Sequence, residues 1–98
     1  MGTLENEEIE QKLQELDGWK RADAKTIERR FTFREFLTGI AFVEKIASQA
    51  EKMNHHPHIT IDHRTVTIRL STLDEGGITQ LDIDSAVAYS KIYNEYFG

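Results

Sequence analysis

Cysteine is absent from the 98 residues, which excludes disulfides, thiolate metal sites and a cysteine nucleophile, and fits an intracellular protein. One proline and six glycines leave no room for a disordered linker. No apolar run approaches the roughly 18 residues of a membrane span, and mean hydropathy is -0.52. The acidic start Met1-Gly-Thr-Leu-Glu-Asn-Glu-Glu has no apolar segment of a secretory signal, so a cytoplasmic location is expected. Basic charge is scarce too. Twelve Lys and Arg against 17 Asp and Glu give a net charge of -5, which argues against a nucleic-acid-binding surface. No repeat or low-complexity segment interrupts the chain. What remains is one compact acidic domain over residues 1–98, expected to bury roughly 60–65% of its unfolded surface.

The pattern of elements follows from periodicity and punctuation. Asn6 to Leu16 places Ile9, Leu13 and Leu16 on one helical face, and Asp17-Gly18 ends it. Trp19-Lys20-Arg21 reads as a short strand and Ala22 to Lys25 as a turn. From Ile27 the chain alternates, with Ile27, Arg29 and Phe31 on one side, so Arg29 needs a partner or an edge. Thr32 and Glu35 have capping-box spacing, with Phe31 and Phe36 as the staple, which predicts a helix from there to about Lys52. Its main stripe is Phe33, Phe36, Leu37, Ile40, Val43, Ala47 and Ala50, broadened by Phe42 and Ile46. A stripe that wide suggests burial on two sides, the second against another subunit through Phe42 and Ile46. His58 to Ile61 and Val66 to Leu70 alternate as strands joined by Asp62-His63-Arg64-Thr65. Leu73 to Gly77 is a loop in which Gly76-Gly77 needs positive φ. Thr79 and Asp82 form a second box, stapled by Ile78 and Ile83, before a helix with Ile83, Ala86, Val87, Ser90, Tyr93 and Phe97 on one face. The order α-β-β-α-β-β-α predicts an α+β fold, a two-layer domain whose four-stranded antiparallel sheet carries its helices on one face.

Four histidines, His55, His56, His58 and His63, fall within nine positions. Imidazole alone titrates near neutral pH without perturbation, so such a cluster suits acid, base or ligand work. One reading is structural: Asn54 and a histidine cap the end of the long helix, where positive charge is welcome. A second is a metal site from His55, His56 and His58, although the spacing matches no zinc signature. The third is proton transfer. Pro57 holds His56 outside the helical region, so the paired imidazoles are expected to point in different directions.

Glu51-Lys52-Met53-Asn54-His55-His56-Pro57, then Val66 to Ser71-Thr72, then Gly76-Gly77-Ile78-Thr79-Gln80-Leu81-Asp82 resemble the pterin-4a-carbinolamine dehydratase family. The match holds without a gap from His55 to Asp82 and extends more loosely to Gly18-Trp19 and the Thr32–Lys52 helix. The resemblance implies removal of water from a 4a-hydroxytetrahydropterin to give a quinonoid dihydropterin, without metal or organic cofactor. It implies acid/base and positioning roles for His55 and His56, with Asp82 as the signature aspartate. Glu51, one turn before His55, would orient an imidazole or meet the amino-pyrimidine edge. Asn54, Pro57 and Ser71-Thr72-Leu73-Asp74 would line the pterin. Asp82 has a structural reading as well, as the third residue of its helix.

Two positions depart from the family pattern. Leu73 stands where a third catalytic histidine is usual, and His63 where an aromatic residue is. A slow dehydratase is therefore one expectation, with His58 or His63 as a stand-in group. The alternative is a non-catalytic pterin-binding or dimerisation module on the same fold, since some relatives are dimerisation cofactors of a homeodomain transcription factor. The resemblance also implies a homodimer through sheet extension, or a homotetramer of such dimers.

Overall fold

The computed structural model describes residues 2–98. Helix α1 (Asn6–Gln14) leads into strands β1 (Lys20–Asp23) and β2 (Thr26–Thr32), then α2 (Phe36–Met53), β3 (His58–Asp62), β4 (Thr65–Leu70) and α3 (Gln80–Tyr96). The strands form one antiparallel sheet in the order β1-β2-β4-β3. This is the two-layer α-β-β-α-β-β-α arrangement that the periodicity predicts. Among the described residues no helix is long and apolar enough to cross a membrane.

Alternation decides which side of the sheet is dry. Ile27 and Phe31 of β2 and Val66, Ile68 and Leu70 of β4 are buried and pack with Phe42 and Ile46 of α2 and Ile83, Ala86 and Tyr89 of α3. The intervening residues, Glu28, Arg30, Thr67 and Arg69, fall on the other face. Arg29 alone breaks the apolar side of β2. Its guanidinium lies 4.3 Å from the Phe31 ring centroid and 5.2 Å from that of Tyr93, and donates to Ser90 Oγ at 3.1 Å. Burial draws its pKa below the ordinary arginine value, the nearby Tyr93 and Asp17 acting against that. Trp19 Nε1 donates to the same hydroxyl at 2.8 Å, so one serine ties α3 to β2 and to the residue just before β1. Gly18 makes room for the arrangement. It sits at φ +86°, and a Cβ there would lie 2.7 Å from Arg29 Nε.

Helix α2 departs from its sequence pattern in two ways. It begins at Phe36, because Thr32 is still in β2, paired with Thr65, so Thr32 and Glu35 form no capping box. The buried face also differs from the expected one. Phe42 and Ile46, expected between subunits, are fully buried inside their own chain with Gly39 and Ala50. Phe36, Leu37 and Ala47, expected on the buried stripe, are exposed. An apolar stripe all round a helix does not state which side meets the sheet, and here ring packing decides it: Phe42 contacts Phe31 at 4.7 Å and Phe33 at 5.2 Å between centroids. In α3, Val87 is likewise exposed, and Tyr89, absent from the predicted stripe, is fully buried.

Candidate active site

The end of α2 turns sharply because Asn54 adopts the left-handed conformation, φ 52° and ψ 42°, which asparagine tolerates better than most residues. His55 N–H then bonds back to Ala50 carbonyl at 3.1 Å, closing the helix in Schellman fashion. Asn54 therefore caps through its backbone. Pro57 follows and directs the chain into β3, so the paired histidines lie on a braced corner and not on a free loop.

The two imidazoles diverge, as the proline suggests. His55 Nε2 lies 2.6 Å from Asp82 Oδ1, across to the first turn of α3. His56 Nε2 lies 2.5 Å from Glu51 Oε2 of α2. An ionised carboxylate only accepts hydrogen bonds, so each bonded Nε2 carries the proton and Nδ1 is the acceptor of the neutral ring. The surroundings differ: the His55 side chain is 10% exposed and Asp82 fully buried, whereas His56 and Glu51 are open to solvent.

Asp82 serves two structures at once. Its Oδ2 accepts from Thr79 N–H at 2.9 Å and from the Thr72 hydroxyl at 2.8 Å, and the Thr72 and Thr79 hydroxyls lie 2.7 Å apart. The capping box expected at Thr79 is present, and the carboxylate's other oxygen holds His55. Behind it on α3, the buried Tyr89 phenol is pushed up to about 12, chiefly by desolvation, with the nearby Ser85 hydroxyl opposing and the Asp82 charge adding to the rise.

The segment after β4 completes the cleft. Thr72 bridges to Gly77, and Leu73–Glu75 make one 3-10 turn ending at Gly76, φ +79°. Gly77, expected to need a positive φ, does not; it is pressed against the Thr3 side chain. A recess of about 210 Å³ is bordered by Asn54, His55, Thr72 and Asp74. A second, of about 340 Å³, is bordered by Thr26, His58, Leu70 and Arg69. His56, Ser71 and Leu73 line both.

The fold thus brings together most of the residues singled out in the sequence. Glu51 acts by holding His56, and Pro57 borders neither recess. Leu73 is 87% exposed and offers no polar atom. His63 sits in the β3–β4 hairpin with φ 54°, at the other end of β3, about 17 Å of strand from His58, and is no stand-in for a site group. Arg69 and Thr26 border the larger recess without having been singled out. Arg69 lies directly across from His58, a pairing that only the strand register reveals. Among the described residues no group of three or more His, Asp or Glu is placed to hold a metal ion.

Comparison with known proteins gives this geometry a family. The model described as pterin 4 alpha carbinolamine dehydratase matches residues 2–92, and the chain belongs to that family. It is 49% identical over 86 residues to a protein of Mycobacterium avium (strain 104) provisionally named pterin-4-alpha-carbinolamine dehydratase, covering 88% of this chain and 90% of that one. A Mesorhizobium japonicum protein of the same provisional name is 43% identical over 96 residues, covering 97% and 94%. The crystal structure described as a transcriptional coactivator/pterin dehydratase from Brucella melitensis matches with a TM-score of 0.88 at 36% identity, over 93% of this chain and 98% of that one. A pterin dehydratase-like protein identified as a RuBisCO assembly factor in the alpha-carboxysome shares the fold, with a TM-score of 0.64 at 21% identity over 76% and 88%.

Proposed function

We propose that this protein dehydrates 4a-hydroxytetrahydropterins to quinonoid dihydropterins by imidazole acid/base catalysis, without a metal or organic cofactor. The observation that carries the proposal is the corner at the end of α2. There His55 is fixed by buried Asp82 while His56, fixed by Glu51, borders both recesses. The reaction must deliver a proton to the departing hydroxyl and remove one from a ring nitrogen, and imidazoles do both near neutral pH. The assignment follows the family pattern: His55 and His56 handle protons and position the pterin, and Asp82 holds His55. Asn54, Ser71, Thr72, Leu73 and Asp74 border the pterin, and Glu51 orients His56. A cytoplasmic location fits the acidic, cysteine-free chain.

We further propose that the chain forms a homodimer or homotetramer. The β3 strand is an edge of the sheet and is mostly exposed, and α2 presents Phe36, Leu37 and Ala47 outward. Both are liabilities in a monomer that symmetric association removes.

The exposed Leu73 favours one second reading, a pterin-binding or interaction module without turnover. Titration with an oxidised pterin, beside a direct assay of dehydration, separates the two. Binding with acceleration is the expected result; binding without acceleration would establish the module instead.

A further inference from the structure

Dehydration at C4a is proton-neutral overall but needs two separate transfers. The C4a–O bond breaks with its electron pair on oxygen, which takes a proton and leaves as water. The N5–H proton goes to a base, and its electron pair forms the N5–C4a double bond. No oxidant or reductant enters. In the larger recess, His56 donates from Nε2 to Glu51, so its Nδ1 is an acceptor, suited to the N5–H proton. A donor must then come from elsewhere in the same recess.

The remaining polar side chains bordering it are Thr26, Ser71, Arg69 and His58. The hydroxyls are far too weak as acids at neutral pH. The Arg69 guanidinium does not give up its proton and already faces two carboxylates, with Nε 3.4 Å from Glu28 and Nη2 3.9 Å from Asp23. Leu73 has nothing to offer. His58 opens β3 on the exposed edge of the sheet, and among the described residues no side-chain hydrogen bond or ion pair engages its ring. Both ring nitrogens are therefore available, and it is the protonated ring, with an N–H on each nitrogen, that has a proton to give to a departing oxygen.

We infer that His58 is a third proton-transfer residue of this cleft, donating to the departing 4a-hydroxyl, an assignment that rests on the dehydratase function proposed above. It serves the side of the recess that Leu73 leaves without a proton-carrying group. The proton that His56 takes returns through solvent, to which both rings are open, so the pair resets without another reactant. Arg69 lies directly across from His58 on β4 and is followed along the sheet by Glu28 on β2 and by Lys20 and Asp23 on the far strand β1, while the His56–Glu51 pair stands at the α2 corner. A required proton donor makes kcat fall on the alkaline side of the pH profile.

The test compares wild type with His58→Gln, which keeps hydrogen-bonding ability but transfers no proton. His58 is exposed, so the variant is expected to unfold at the wild-type temperature. The expected result is a loss of about 10²-fold in kcat, an unchanged dissociation constant for an oxidised pterin, and disappearance of the alkaline fall. Wild-type kcat in the variant overturns the assignment while leaving the dehydratase function standing. A loss of kcat matched by a loss of pterin affinity, with the alkaline fall retained, overturns it too, because His58 would then only hold the ligand. Absence of turnover in the wild type overturns both the function and the inference.

Discussion

Each oxygen of the Asp82 carboxylate has its own task. Oδ2 accepts from Thr79 N–H and the Thr72 hydroxyl, while Oδ1 faces His55 Nε2. The sequence offers capping and site membership as rival explanations of this residue, and in the structure one carboxylate makes both the capping contacts and the bond to His55. The capping spacing is local and legible from Thr79-x-x-Asp82. The bond to His55 spans 27 positions and depends on how α2 ends against α3, which no spacing rule contains. Asn54 shows the same limit: its presence before the histidines hints at a cap, but only the backbone shows that the left-handed turn does the capping. Replacing Asp82 with Asn keeps the size but presents an amide donor where an acceptor is needed. Leaving such buried partners unsatisfied costs about 1–3 kcal/mol, so urea unfolding of Asp82→Asn should show a loss of that size. Dehydration should fall with it, as His55 loses its fixed orientation. Wild-type stability in the variant would mean that the network contributes nothing.

Among the elements, α2 shows where amphipathic patterns stop being informative. Apolar residues at Phe36, Leu37, Ile40, Val43 and Ala47 make as good a stripe as Phe42, Ile46 and Ala50, and periodicity cannot rank the two. Packing ranks them, because the aromatic rings of Phe31, Phe33, Tyr93 and Phe97 all meet Phe42. The strands were easier, since strict alternation in Val66 to Leu70 admits one buried face. Arg29 was legible as an anomaly, though its partners, Phe31, Tyr93 and Ser90, lie partly on an element 61 positions away. Truncating Phe42 to Ala should destabilise the chain by about 3–5 kcal/mol, the range for a buried aromatic, as read by thermal or denaturant unfolding. Leu37 is 72% exposed and lies on the outward face. Leu37→Glu should leave the circular dichroism of the chain unchanged and shift sedimentation from an oligomer to an 11.3 kDa species. A wild type that already sediments as the monomer would remove the case for association through this face.

For the whole molecule, the order of elements was legible, because most boundaries carry their own punctuation: Gly18, Pro57, the hairpin at His63 and Arg64, and Thr79; the start of α2 does not. The two-layer order follows from that sequence of elements. The cleft was less legible, since the corner of α2, the start of β3 and the turn after β4 meet only in three dimensions. Tyr89 illustrates a global consequence. Its phenol is held up at about 12, above the ordinary tyrosine value of 10.0, mainly by desolvation. The unfolded chain ionises first, so it binds fewer protons than the native chain between those two values and stability falls as pH rises through them. The full effect is at most about 3 kcal/mol, present below pH 10 and lost towards pH 12. Unfolding curves across that window should show the loss in wild type and a smaller one in Tyr89→Phe; equal losses would place the alkaline sensitivity elsewhere.

The central claim is that the histidine corner turns over a 4a-hydroxytetrahydropterin. Its most direct test is a stopped-flow measurement of quinonoid dihydropterin formation at several pH values by wild type, His55→Ala and His56→Ala. Acceleration by the wild type, with kcat/KM lower by about 10²-fold or more in each variant, is the predicted result. Equal turnover in all three proteins, or a wild type no faster than the uncatalysed reaction, would contradict it.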